Sequence, residues 1–163
     1  MSHQIMIDSL VFAREGGLLE GKFPLAVLLR LHDWLVEISG EVSYCLQGAE
    51  SRQRGPQLKL DVVGELPLLC QRCLLRMDFP LAVSCVLALV PSQADVPLDL
   101  LEDEDSDFLV ADKEQSVLGL VEDEIILALP VAPRHEVCVL PGNDSVGGKI
   151  LPFAALSALK KKK

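Results

Sequence analysis

Polar and apolar residues alternate through the middle of the chain. Over residues 35–44, Glu37, Ser39, Glu41 and Ser43 interleave with Val36, Ile38, Val42 and Tyr44, and residues 57–66 alternate again through Leu58, Leu60 and Val62. A period of two describes a strand with one buried face. The two runs therefore predict antiparallel strands joined by the polar, glycine-bearing stretch 48–56, with residues 68–70 continuing the pairing. Residues 76–90 predict a further strand pair or one long bent strand, with Pro80 marking an edge or a bulge.

On either side of this block the period changes. Residues 5–8 predict a short strand, and Asp8 or Ser9 caps a brief helix that ends at Gly16-Gly17. Residues 18–23 read as extended. Pro24 suits a first helical position, and Leu25, Leu28, Leu29 and His32 follow at helical spacing, which predicts a helix over 24–33. Ser116 caps the best helix in the chain, with Leu118, Val121, Ile125, Ala128 and Leu129 as its apolar stripe and Glu122 and Asp123 away from it. Pro130 stops that helix. Residues 151–163 read as a short amphipathic helix followed by the basic tail Lys160, Lys161, Lys162 and Lys163. The expected architecture is α+β, a single domain over 1–163: an antiparallel β-sheet or partly closed barrel, a packed helix and short terminal helices.

Composition sharpens this picture in two places. Residues 91–113 crowd Asp95, Asp99, Glu102, Asp103, Glu104, Asp105, Asp107 and Asp112 into one segment with few cations, which reads as a solvated, mobile acidic loop. The ordered spacing and glycine of a calcium loop are missing from it. The formal net charge is −9, the wrong sign for a body that would gain affinity by releasing counterions from a phosphate backbone. Composition thus favours a protein partner over naked nucleic acid. No apolar run reaches membrane-spanning length, and Met1-Ser2-His3-Gln4 lacks the basic start of a secretory signal. The expectation is a soluble, cytoplasmic protein with no membrane partner.

Candidate chemistry centres on cysteine. Five cysteines without a signal peptide argue for reduced thiols or a metal site rather than a disulfide scaffold. Cys70 and Cys73 have knuckle spacing, and His135 and Cys138 repeat it with one imidazole. Together they would make a closed, structural zinc site of three thiolates and one imidazole. The 61 residues between Cys73 and His135 mean that only tertiary folding can join the halves. Reduced surface thiols beside an ordinary loop histidine remain the plain alternative. A thiol-redox pair, with Arg72 favouring thiolate, is a third reading, although Leu74–Asp78 leads toward strand and not into a helix. Glu122, Asp123 and Glu124 are adjacent on a helix and point in different directions, so they read as a solvated face or a contact for a basic partner. His3 and His32 have no nucleophile arranged beside them, and no phosphate-binding glycine loop occurs. No catalytic apparatus and no small-molecule substrate are implied.

Three stretches taken together are distinctive: Cys70-Gln71-Arg72-Cys73-Leu74, the string from Val121 to Pro130, and Pro152-Phe153-Ala154 with the Leu-rich, lysine-ended tail. They resemble the YceD family, the large ribosomal RNA subunit accumulation proteins of bacteria with relatives in chloroplasts. The resemblance implies a non-enzymatic role in making, processing or stabilising large-subunit (23S) ribosomal RNA. It singles out Cys70, Arg72, Cys73, Glu122, Asp123, Glu124, His135 and Cys138. The charge is reconciled with that role if Arg72, Arg76, Arg134 and the lysine tail touch RNA while the acidic body engages a basic ribosomal protein or a large-subunit assembly factor.

Overall fold

The computed structural model describes residues 5–52, 54–92 and 107–138. The predicted C-terminal helix, the lysines Lys160–Lys163 and most of the acidic segment lie outside the described residues. Strands β1 (Met6–Ile7), β2 (Leu18–Pro24), β3 (Glu41–Ser51), β4 (Gly55–Leu69), β5 (Arg76–Val90), β6 (Asp107–Val110) and β7 (Gln115–Ser116) combine with helices α1 (Ser9–Arg14) and α2 (Val117–Ala128). The main sheet has the order β2-β3-β4-β5-β6 and is open, not a closed barrel; β1 and β7 pair separately.

The alternation does what the pattern predicts. On β3, Val42, Tyr44 and Leu46 face inward; on β4, Leu58, Leu60 and Val62 do the same, and all are buried. The register Val42↔Gly64, Tyr44↔Val62 and Leu46↔Leu60 keeps these residues on one face. β5 is a single long strand paired with β4 from Gln57↔Ala88 to Leu69↔Arg76. Pro80 is tolerated because β6 covers only Leu87–Val90, so β5 is an edge where Pro80 sits. Asp107–Val110, inside the stretch read as a mobile acidic loop, is instead the fifth strand, and it runs parallel to β5. Phe108, Leu109 and Val110 supply the strand-forming residues there.

Both helices lie on the inner face. Asp8 caps α1 by accepting from the Val11 N–H at 3.0 Å, while Ser9 is buried and its hydroxyl reaches the Asp112 carbonyl at 3.0 Å. A Cβ at Gly48 would lie 2.2 Å from the Phe12 carbonyl oxygen, so α1 rests directly on β3. Ser116 caps α2 by accepting from the Gly119 N–H at 3.1 Å. The buried face of α2 is Val117, Leu120, Val121, Glu124 and Ile125, with Glu122 buried beside it. The expected stripe is therefore turned: Leu118 is half-buried, Ala128 is exposed, and Glu124 occupies an apolar-face position.

Two other expectations are corrected. Residues 24–33 form two 3₁₀ turns, Leu25–Val27 and Leu29–Leu31, instead of an α-helix. Leu25, Leu28 and Leu31 are all fully buried, and their spacing of three matches a helix with three residues per turn. The strand expected from residue 35 starts at Glu41. Before it, Leu35 makes only an isolated bridge to Leu68, and Gly40 at φ +110° turns the chain into β3.

Candidate metal centre

The turn between β4 and β5, the two longest strands, carries Cys70 and Cys73. Its backbone is pinned by Leu74 N–H to the Cys70 carbonyl at 2.9 Å and by Cys70 N–H to the Leu75 carbonyl at 2.9 Å. Leu74 adopts φ +60°, a left-handed value that costs a non-glycine residue energy and lets the chain reverse directly after the second thiol. The other half arrives from the segment after α2. Gln71 N–H donates to the Pro133 carbonyl at 2.8 Å, which brings His135 and Cys138 over the turn. Sequence spacing separated these halves; the contact of the β4–β5 turn with the post-helix segment joins them.

The four donor atoms of Cys70, Cys73, His135 and Cys138 all lie within 4.8 Å of one another. Cys70 Sγ is 3.9 Å from Cys138 Sγ, and Cys73 Sγ is 3.4 Å from His135 Nδ1. A tetrahedral zinc with ordinary bond lengths has S···S and S···N edges of about 3.8 and about 3.6 Å. The donor set therefore fits that ion. The imidazole is oriented for it: Nε2 lies 3.1 Å from the Arg76 carbonyl, which can only accept. Nε2 thus carries the hydrogen, and the Nδ1 lone pair faces the sulfurs.

Local electrostatics favour a thiolate. Burial pushes the Cys70 thiol up, but the backbone N–H groups of Cys73, His135 and Arg72 outweigh it and bring the value down to about 5. Burial, together with the sulfurs of Cys70 and Cys138, raises Cys73. Metal binding would deprotonate both. The remaining cysteines stand apart. Burial first, then Glu124, pushes Cys85 up to about 12; burial first, then Glu20, raises Cys45.

The other residues singled out from sequence have varied fates. Arg72 turns inward, with Nε 2.8 Å from Cys138 Sγ. Arg76 pairs with Glu37 at 2.7 Å and with Asp78 at 3.0 Å. Arg134 is exposed. Of the helical acids, only Asp123 is a solvated face residue, and it pairs with Arg30. Glu122 and Glu124 are buried, which corrects their reading as solvated. Glu122 Oε1 accepts from the Arg30 backbone N–H at 3.1 Å, holding the second 3₁₀ turn to α2. Sequence reasoning missed this role, whose one available signal was an acid close to the turn's free N–H groups in space, not in sequence.

The family described as large ribosomal RNA subunit accumulation protein YceD matches residues 58–160, well over half of the chain. The chain belongs to the YceD family. A YceD protein of Haemophilus influenzae, named large ribosomal RNA subunit accumulation protein, is 30% identical over 157 residues, covering 87% of this chain and 87% of that protein. No solved structure matches the chain. The YceD match begins at Leu58 in β4 and so takes in the β4–β5 turn, α2 and both halves of the four-residue cluster. No helix among the described residues is long and apolar enough to cross a membrane.

Proposed function

We propose that this protein is a non-enzymatic factor in the synthesis, processing or stability of large-subunit (23S) ribosomal RNA, working in the cytoplasm. The observation that carries the reading is the YceD match over residues 58–160, because the family's name states large ribosomal RNA subunit accumulation. The direct contact is a basic ribosomal protein or a large-subunit assembly factor. A net charge of −9 steers cationic proteins inward and repels phosphate. Contact with precursor RNA runs through exposed Arg134 and the lysines Lys160–Lys163. Arg72 and Arg76 are less suited to that contact, since each already has partners within the chain. Deleting the gene and profiling ribosomal subunits and precursor RNA tests the pathway. Selective loss of large subunits is expected, and an unchanged subunit ratio overturns the reading. Crosslinking in cells tests the partner: protein adducts are expected, and abundant RNA adducts on the folded body without them overturn that part.

Within this reading Cys70, Cys73, His135 and Cys138 hold one structural zinc. When bound, such an ion with four protein ligands has no open position and supplies folding energy, not catalysis. The imidazole orientation and the convergence of four donor atoms within 4.8 Å support it over a Cys70–Cys73 redox pair, as does the position of the thiols on a hairpin turn instead of at a helix entry. Purified protein is expected to carry about one zinc per chain and to melt lower with chelator. Metal-free protein with unchanged melting overturns this assignment and leaves the ribosomal one standing.

A further inference from the structure

The hydrogen bonds of Arg72 have a purpose that its place between two thiols does not explain. Three thiolates and one neutral imidazole around a divalent ion carry a net charge of −1, and this cluster is partly withdrawn from water: Cys70 is fully buried, Cys73 nearly so, and His135 and Cys138 are half-buried. A buried net charge is costly unless an opposite charge sits beside it. Arg72 is the cation there. Its Nε donates to Cys138 Sγ at 2.8 Å, and its Nη2 donates to the His135 carbonyl at 3.3 Å and approaches the Glu136 carbonyl at 3.5 Å. One planar guanidinium therefore spans from the first half of the cluster to sulfur and backbone of the second. A lysine would keep the charge but not the fork.

We infer that Arg72 is the outer-sphere positioning residue of the metal centre. It balances the charge of the three-thiolate set and locks the His135–Cys138 half onto the β4–β5 turn, and it is withdrawn from RNA contact. The inference rests on the zinc reading above. Outer-sphere partners that hydrogen-bond to metal ligands change affinity by about 10–100-fold when lost.

The test uses the full chain as wild type, Arg72→Gln, Arg72→Lys and, as an exposed control remote from the cluster in sequence, Arg14→Gln. Zinc affinity is measured by competition with a chromophoric chelator. Cobalt(II) loading then reports the thiolate-to-metal charge-transfer band and the tetrahedral ligand-field bands. Arg72→Gln is expected to weaken zinc by about 10–100-fold and to move the charge-transfer band to lower energy, because a thiolate without its donor gives electron density more readily. Arg72→Lys, which retains charge and bulk, is expected to fold and to fall between the two. Arg14→Gln is expected to match wild type. Affinities of both Arg72 variants within about twofold of wild type, with an unmoved band, overturn the role of Arg72 while leaving the metal site intact. Failure of the wild-type chain to bind zinc or cobalt overturns the metal reading itself, a different and distinguishable result.

Discussion

Replacing Glu122 with alanine probes the least expected contact in the fold. The second 3₁₀ turn, Leu29–Leu31, begins with backbone N–H groups that have no partner within the turn. One of them, on Arg30, donates to the Glu122 carboxylate at 3.1 Å, and the Glu122 side chain is buried. Hydrogen bonds to charged groups contribute about 1.5–3 kcal/mol, and the buried methylenes of Glu122 add up to about 1 kcal/mol after allowance for a compact unfolded chain. Glu122→Ala should therefore destabilise by roughly 2–4 kcal/mol, which for a chain of this length lowers Tm by about 5–15 °C. Glu122→Gln keeps an acceptor oxygen in place and should retain most of the stability. Asp123→Ala removes only the pair with Arg30, whose side chains are 55% and 52% exposed, and solvent screens such pairs; its melting should stay close to wild type. The assay is thermal and urea unfolding of all three variants at one pH. Equal losses for Glu122→Ala and Asp123→Ala, or a Glu122→Ala melt indistinguishable from wild type, would refute the reasoning.

Gly48→Ala places a methyl 2.2 Å from the Phe12 carbonyl oxygen and 2.8 Å from Ala13 Cα, both backbone atoms. It should cost about 1–3 kcal/mol in urea unfolding and increase hydrogen exchange in α1. Burial raises the Glu124 carboxyl. A raised carboxyl gives its full stability below the unfolded value and loses it as pH rises through the folded one, so the charged form weakens the fold at neutral pH. Glu124→Gln is expected to raise Tm at pH 7, with the gain shrinking as pH falls through the raised folded value and gone below the ordinary 4.5. Cys85, pushed up to about 12 from an ordinary 9.0, holds roughly a thousandfold less thiolate near pH 8 than a free thiol does. Alkylation followed by peptide mass mapping should find Cys85 slower than Cys45, the other thiol outside the cluster; early labelling there would contradict the burial that raises it.

The strands were legible because alternation is a local signal: Val42, Tyr44, Leu46, Leu58, Leu60 and Val62 announce their inward face without reference to any neighbour. The capping serine of α2 was legible for the same reason. What failed were patterns that two kinds of structure share. Leu25, Leu28 and Leu31 satisfy an α-helical stripe nearly as well as a 3₁₀ one, and only the sheet beneath them chooses. Glu122 and Glu124 look solvated because carboxylates usually are, whereas a tertiary donor and the half-buried Cys85 thiol receive them here. The parallel strand β6 was hidden in an acidic composition, since pairing with Val90 and its neighbours is a long-range event. For the metal centre, residue types and half-site spacing were visible. The closure across 61 residues, and the inward turn of Arg72, belong to tertiary structure.

Because Cys138 is moored beside Cys70 and under Arg72, and the Pro133 carbonyl accepts from the Gln71 N–H, the segment after α2 is buttoned to the β4–β5 turn at two separate points. The hairpin and the helix thus share one clasp, and loosening the thiol end of it would be felt on both sides. Unfastening Cys138 would leave residues 133–137 held to the hairpin by hydrogen bonds alone.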